Sequence, residues 1–243
     1  MRCDAIRKRN GGIVGVSQGV ADEAAEVFDM PPTKVVAILN PPQSRDVSFE
    51  IDPKHAPLFE RPVVLGIGRL APQKDFEMLL QAFATVSAGR DLHLVILGEG
   101  RERGSLQATA HALGLSERVF FPGFVGNPQA YLRRARVFAL SSRNEGFPGA
   151  LIEAMEAGTA IVSTDCNFGP REILDDERFG RLVPVGDAER LGEALDAELD
   201  ALDVGLDARR AERASWLRRF DPERIISRYL EVVREVIPTA QSL

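Results

Sequence analysis

Two glutamates, Glu145 and Glu153, bracket a glycine- and proline-rich turn and the start of an apolar helix within residues 141–158. The first turn of a helix leaves backbone N–H groups without intrahelical acceptors, and these groups favour an anion. Glu153 follows Gly149 by four residues, which places it on the same face about one turn (~5.4 Å) further along. A phosphate at the helix start, with a carboxylate on either side to hold neutral hydroxyls, outlines a nucleotide sugar.

Each glutamate also has an ordinary structural interpretation. Glu145 could cap the helix or complement its dipole, and Glu153 could face solvent on a half-exposed helix. Together they could be the acid and nucleophile of a glycosidase. Nothing in the neighbouring sequence would raise the pKa of one carboxyl, so ligand binding is the favoured interpretation. Glu156 is expected at the surface.

Two cations, Arg69 and Lys74, follow the apolar run 63–68 and flank a proline turn that leads into a helical pattern. Loops at the carboxyl ends of strands are where open α/β sheets bind ligands. A guanidinium fork and an ammonium point charge can neutralise a diphosphate without a metal ion. The alternative is that both are solvated surface cations.

Composition narrows the classes of function. The chain has 243 residues, an apolar fraction of 44% and a net charge of −6, which fits a protein with a buried core and argues against nucleic acid as a partner. Cys3 and Cys166 have neither metal nor redox spacing, so we interpret both as packing residues in a cytoplasmic protein. No apolar run approaches the roughly 20 residues of a transmembrane helix, and the start does not resemble a secretory signal.

No sequence motif for a metal or other cofactor is present. The chain has no Asp-x-Asp pair, no histidine cluster and no Gly-x-Ser-x-Gly motif. His55, His93 and His111 stand at unrelated positions, so we expect them to be structural or at the surface. We therefore expect neither a bound metal nor another cofactor.

Short apolar runs alternate with helical patterns, which predicts βαβ units and a Rossmann-like α/β fold, a parallel sheet with helices on both faces. The predicted strands are residues 12–17, 34–39, 63–68, 92–97, 119–121, 137–140 and 160–163. The predicted helices are residues 19–28, 75–86, 101–113, 128–135 and 149–157, followed by helical patterns alone at 188–202, 207–219 and 222–236.

The predicted domain boundaries depend on residues 41–61, a proline-rich polar segment that we interpret as a linker. Residues 1–40 hold two strands and one helix, too few to bury their own faces, so we interpret them as the remnant of an N-terminal domain. Residues 62–220 are the predicted ligand-binding domain, and residues 221–243 are a C-terminal helix and tail.

From about residue 62 to 236 the sequence resembles the nucleotide-sugar domain of family-4 glycosyltransferases with the GT-B architecture. The resemblance is carried by residues 68–70 with Lys74, the glycine motifs at 97–100 and 121–123, the two glutamates, and residues 180–184. Each motif is weak alone, but their order and spacing together are specific. On the residues alone, the two glycine motifs could either approach a flat ligand closely or form ordinary turns.

The resemblance implies a role for each candidate residue. The implied catalytic residues contact the diphosphate or the donor sugar, and they are Arg69, Lys74 and Glu145. The implied donor-binding residues comprise the loop glycine beside the cations, residues near the base, amides at the helix start and the ribose ligand, and they are Gly68, Phe124, Val125, Gly149, Ala150, Leu151 and Glu153.

Members of that family retain the anomeric configuration without a metal, because cations and a helix start stabilise the departing nucleoside diphosphate. The resemblance implies transfer of a hexosyl or N-acetylhexosaminyl group from a nucleoside-diphosphate sugar, with UDP favoured over GDP, to a glycan or lipid-linked acceptor in polysaccharide biosynthesis. The expected location is the cytoplasm or the inner face of the membrane.

GT-B enzymes use two Rossmann-like domains, and the resemblance implies that most of the first domain, which normally supplies the acceptor site, is not part of this chain. We therefore expect the chain to be a fragment, a truncated product, or one half of a split enzyme completed by a separate N-terminal chain. An inactive nucleotide-sugar-binding subunit and a sugar-nucleotide epimerase of related fold are the alternatives. The last helix, 222–236, should expose an apolar face.

Overall fold

The computed structural model describes residues 12–41, 50–201 and 210–236. They divide into two compact units, a smaller one of residues 12–41 and 218–236 and a larger one of residues 50–201 and 210–217. Cys3 and the ends of several predicted segments lie outside the described residues.

The smaller unit begins with a parallel pair of strands, β1 (Ile13–Gly15) and β2 (Val35–Ala37), with helix α1 (Gln18–Val27) packed on both. The side chain of Ser17 caps α1 by accepting a hydrogen bond from the Val20 amide at 3.2 Å, as expected for a serine before a helix.

The larger unit is a parallel sheet of six strands flanked by helices, which confirms the predicted fold class. Its strands are β3 (Val63–Ile67), β4 (His93–Leu97), β5 (Val119–Gly123), β6 (Val137–Leu140), β7 (Ala160–Thr164) and β8 (Arg181–Val183). Its helices are α2 (Phe76–Ser87), α3 (Arg103–Ala112), α4 (Pro128–Leu132), α5 (Gly149–Ala157), α6 (Pro170–Ile173), α7 (Ala188–Ala201) and α8 (Arg210–Leu217).

The spatial order of the strands is β5-β4-β3-β6-β7-β8. The chain moves outward from β3 through β4 to β5 and then returns to pair β6 with the other side of β3. This reversal between β3 and β6 is a topological switch point, where sheets of this kind bind ligands at the carboxyl ends of their strands. β4 and β6 are buried along their whole length, as expected for central strands with helices on both faces.

Several short elements were not predicted, among them α6 in a strand-end loop, strand β8 and a 3₁₀ helix. β8 is a three-residue edge strand that starts at an exposed arginine, too short to give an apolar pattern. A 3₁₀ helix, Pro53–Phe59, lies in the segment interpreted as a linker, and the Asp52 side chain caps it by accepting from the Lys54 amide at 3.0 Å. Its His55 is buried, and the ring Nδ1 lies 2.7 Å from the hydroxyl of Tyr131.

The last described helix, α9 (Pro222–Val236), belongs to the smaller unit. The prediction that it exposes an apolar face is confirmed, since Ile226, Leu230 and Val233 are 53%, 49% and 46% exposed. They recur at helical spacing and so share one face. In the described residues, no helix is both long enough and apolar enough to cross a bilayer.

Candidate functional site

Lys74 and Glu145 meet at the carboxyl ends of the two central strands β3 and β6. The Lys74 Nζ lies 2.5 Å from Oε1 of Glu145, although the two residues are 71 positions apart in the chain. Their side chains are 20% and 9% exposed, so the pair is largely shielded but reachable from solvent. The structure therefore brings together one predicted cation and one predicted carboxylate at the switch point of the sheet.

Gly68 makes room for the lysine. A Cβ atom at this position would lie 3.1 Å from Cε of Lys74 and 3.2 Å from its Cδ and Cγ. The Lys74 stem therefore passes directly over Gly68, and a larger residue would displace it.

Glu145 is held by the strand-end loops and does not cap the helix. The Ser142 hydroxyl donates to its Oε1 at 2.6 Å, and its backbone N–H donates to the Asn167 carbonyl at 3.4 Å. The N-cap of α5 is Pro148, without a side-chain capping bond. Ser142 was not among the residues predicted for the site, although its place two residues after β6 was an available signal.

The start of α5 faces open space. No heavy atom lies within 4 Å of a Cβ placed on Gly149, so a ligand can approach the backbone there. The Leu151 amide already donates to the Pro148 carbonyl at 3.0 Å and its side chain is fully buried. Of the three predicted amides, those of Gly149 and Ala150 are therefore better placed to meet a ligand. Glu153 is half-buried one turn further along α5.

Arg69 lies on the same loop as Lys74, but its side chain is exposed and forms no hydrogen bond or ion pair with the residues that the structure describes. The backbone beneath it is fixed, because Leu70 is fully buried and its amide donates to the Glu99 carbonyl at 3.0 Å. The structure thus places this second cation on an anchored loop with a solvated guanidinium.

Phe124 and Val125 follow β5, the edge strand on the far side of β4. The Phe124 side chain is 76% exposed, and Val125 is half-buried. A fully presented aromatic ring at the carboxyl edge of the sheet offers a face for stacking.

The glycine motif at 97–100 serves contact between neighbouring loops. Gly98 has a φ of 133°, and a Cβ on it would lie 1.9 Å from the Gly68 carbonyl oxygen. A Cβ on Gly100 would lie 2.2 Å from the Leu70 carbonyl oxygen. Both glycines therefore allow the β4 loop to pack directly on the loop that carries Arg69 and Lys74.

His55, His93 and the described cysteine are structural, whereas His111 is exposed. His93 is buried, its Nδ1 lies 2.8 Å from the Leu58 carbonyl oxygen, and its ring meets Phe120 edge-on. Burial raises the pKa of the Cys166 thiol to about 11. Within residues 12–41, 50–201 and 210–236, no three His, Cys, Asp or Glu side chains are grouped to hold a metal ion.

Comparison with solved structures defines the fold. Anabaena HepE, solved in complex with UDP-glucose, superimposes with a TM-score of 0.82 over 96% of this chain and 66% of that chain, at 19% identity. TarM of Staphylococcus aureus superimposes with a TM-score of 0.71 over 92% of this chain and 43% of that chain, at 21% identity. The fold is that of GT-B glycosyltransferase structures.

The family follows from the sequence. Residues 48–212 match the family described as "Glycosyl transferases group 1", and the chain belongs to this family. It is 38% identical over 137 residues to the N-acetylgalactosamine-N,N'-diacetylbacillosaminyl-diphospho-undecaprenol 4-alpha-N-acetylgalactosaminyltransferase of Campylobacter jejuni. It is 34% identical over 176 residues to the lipopolysaccharide core biosynthesis glycosyltransferase LpsE of Rhizobium meliloti.

These alignments cover only part of each relative. They include 56% of this chain and 37% of the Campylobacter enzyme, and 72% of this chain and 50% of LpsE. The chain thus spans half or less of the length of these two relatives.

Proposed function

We propose that the larger unit binds the nucleotide-sugar donor of a retaining, metal-independent glycosyltransferase of family 4. The observation that carries the proposal is the Lys74–Glu145 pair, 2.5 Å apart where the strand order reverses between β3 and β6. A cation and a carboxylate side by side match a ligand that presents phosphate oxygens next to sugar hydroxyls. HepE, which shares the fold, was solved with UDP-glucose bound.

Each predicted residue has a place in this proposal. Transfer breaks the bond between the anomeric carbon and the diphosphate oxygen, and negative charge develops on the departing diphosphate. Lys74 and Arg69 stabilise that charge together with the open start of α5, which is electrostatic catalysis by groups already in position. Glu145 accepts hydrogen bonds from the donor sugar, and Glu153 accepts them from the ribose.

When the donor binds, Lys74 exchanges its present partner. In the structure its ammonium group donates to Glu145. A diphosphate carries more negative charge than a carboxylate and therefore attracts the ammonium group more strongly. Glu145 is then released to accept sugar hydroxyls while the Ser142 hydroxyl continues to orient it. The exposed Phe124 ring and Val125 lie at the base end, with uracil favoured over guanine.

The substrates and completeness of the enzyme are part of the proposal. The transferred group is a hexose or N-acetylhexosamine and the acceptor a glycan or lipid-linked glycan, in line with the names of the two bacterial relatives. The reaction takes place in the cytoplasm or at the inner face of the membrane. Because the chain spans half or less of these relatives, we expect it to bind donor but to transfer no sugar without an N-terminal domain, whether that domain is fused to it or on a separate chain.

Calorimetric titration tests donor binding. UDP should bind more tightly than GDP, in buffer containing EDTA as well as in buffer with Mg²⁺. Lys74→Ala and Glu153→Ala should each weaken UDP binding by about 10-fold or more, since a hydrogen bond to a charged group contributes ~1.5–3 kcal/mol. Lys54→Ala is the matched control, because Lys54 forms an exposed ion pair with Asp52 in the same unit.

Three outcomes would overturn the proposal: no binding of either nucleotide, unchanged binding by Lys74→Ala, or an equal loss with Lys54→Ala. Sugar transfer by the purified chain alone to a simple acceptor would overturn the expectation that it is incomplete.

A further inference from the structure

The two loops that carry Lys74 and Glu145 are bonded to each other. We call residues 68–75 the lysine loop and residues 141–148 the glutamate loop. The Arg143 amide donates to the Gln73 carbonyl at 2.8 Å, and the Gln73 side chain donates to the Asn144 carbonyl at 2.9 Å. The Ser141 hydroxyl donates to the Lys74 carbonyl at 2.7 Å. These bonds fix the backbone on both sides of the cation and the carboxylate.

One ion pair also joins the two loops. Arg143 donates through Nε to Oδ2 of Asp75 at 2.8 Å. The Asp75 side chain is only 6% exposed, whereas that of Arg143 is 61% exposed. The ion pair therefore anchors an otherwise solvated arginine of the glutamate loop to a buried carboxylate directly after Lys74.

Strand pairing does not fix the position of the lysine loop relative to the glutamate loop. The ladder between β3 and β6 joins Val64 to Val137 and Leu65 to Phe138. Lys74 lies nine residues past Leu65, and Glu145 lies seven past Phe138. The mutual position of the two side chains therefore depends on the contacts between the loops.

The side-chain ion pair of Asp75 helps to stabilise an unfavourable backbone conformation. Its φ and ψ are 45° and 47°, in the left-handed region, which is unfavourable for a non-glycine residue. A charge-assisted hydrogen bond to Arg143 offsets that cost. Asp75 is both the last residue of the lysine loop and the residue before α2. The ion pair therefore holds the backbone directly after Lys74.

We propose that Asp75 and Arg143 are positioning residues, whose ion pair holds the lysine loop and the glutamate loop so that Lys74 and Glu145 face one ligand. The inference rests on the donor site proposed above. Neither residue contacts the donor, and both act through the placement of Lys74.

Calorimetry with UDP gives the first test. Asp75→Asn removes the charge but retains a residue that tolerates the left-handed region, and it should weaken UDP binding about 10-fold, or ~1.4 kcal/mol. In a Lys74→Ala background the same substitution should change UDP binding less than about twofold, because residues that act through one group are not additive. Arg90→Gln is the control, since it breaks the ion pairs of Arg90 with Asp196 and Asp200 elsewhere in the unit.

A second readout does not depend on nucleotide binding. Loosening the loops should free the Lys74 amine from Glu145, so Asp75→Asn should raise its acetylation rate in the folded protein about fivefold, measured by peptide mass spectrometry. Lys34 and Lys54 serve as internal standards whose rates should not change.

The outcomes separate the two proposals. Equal losses of UDP affinity in the two backgrounds would mean that Asp75 acts only through stability, and this inference would be wrong. Unchanged acetylation of Lys74 would also overturn it. If wild-type protein binds no UDP but Asp75→Asn still accelerates acetylation of Lys74, the proposed donor site fails while the positioning role stands.

Discussion

Replacing Gly98 with alanine should destabilise the larger unit and disturb the candidate site at the same time. The new Cβ would lie 1.9 Å from the Gly68 carbonyl oxygen, and the φ of 133° is one that only glycine adopts readily. Backbone strain of this kind costs ~1–3 kcal/mol, and overpacking costs a further ~1–3 kcal/mol. The free energy of unfolding should therefore fall by about 2–6 kcal/mol.

Urea unfolding followed by tryptophan fluorescence measures this loss. The single tryptophan, Trp216, lies in the larger unit and donates to the Ile173 carbonyl at 2.8 Å, so its emission reports on that unit. Gly104→Ala is the matched control: no heavy atom lies within 4 Å of its added Cβ, and the residue is helical. That control should be neutral or stabilising by up to ~1 kcal/mol.

The functional consequence of Gly98→Ala follows from the same geometry. Gly98 cannot gain a side chain unless Gly68 moves, and the Lys74 stem lies on Gly68. UDP binding should weaken even under conditions where the variant is fully folded. A variant that stays within ~0.5 kcal/mol of the parent would refute the reasoning, because the contact would then be one that the backbone relieves at no cost.

Three further predictions concern single side chains. Phe124→Ala should leave the free energy of unfolding within ~0.5 kcal/mol, because the ring is 76% exposed, but should weaken UDP binding about 5- to 10-fold if the base stacks there; equal binding by the variant would exclude stacking. Burial lowers the pKa of His55 below its usual 6.5. The buried neutral ring therefore contributes to the free energy of unfolding above pH 6.5, and this contribution is lost as pH falls through the folded pKa. Urea titrations between about pH 5 and 7.5 should show this loss in the parent and a flatter profile in His55→Gln; parallel profiles would contradict it. With Cys3 replaced by serine, Cys166 should not react with a disulfide reagent at pH 8 until urea is added, because burial raises its pKa to about 11; rapid reaction in the folded protein would be inconsistent with that burial.

Local patterns in the sequence predicted the central elements well. The helix predicted at 149–157 has those bounds in the structure, because Pro148 precedes it and Gly158 ends it in a left-handed conformation. β6 was also predicted with its observed bounds, since a short apolar run between two loops suits a strand buried on both faces.

The misses have physical causes. β8 is held by its pairing with β7, and three residues carry too little pattern to reveal that. The 3₁₀ helix at Pro53–Phe59 contains two prolines, which local rules assign to a linker. Its burial against Tyr131 depends on a residue 76 positions away.

The candidate site was predicted as a set of residue types but not as an arrangement. Lys74 and Glu145 were assigned to different strand-end loops, and only the order of the strands shows that these loops are neighbours. The bond between Asp75 and Arg143 spans 68 residues. Spacing along the chain cannot predict such a contact without the topology.

The separation of 71 positions between Lys74 and Glu145 also sets an order of events during synthesis. A growing chain that ends before β6 already carries the lysine, but the carboxylate that neutralises it has not been made. The pair can form only after β4 and β5 have been laid down and β6 has returned to the centre of the sheet. A ligand that needs both side chains would therefore recognise only chains whose central sheet is complete, and would stabilise that state by mass action.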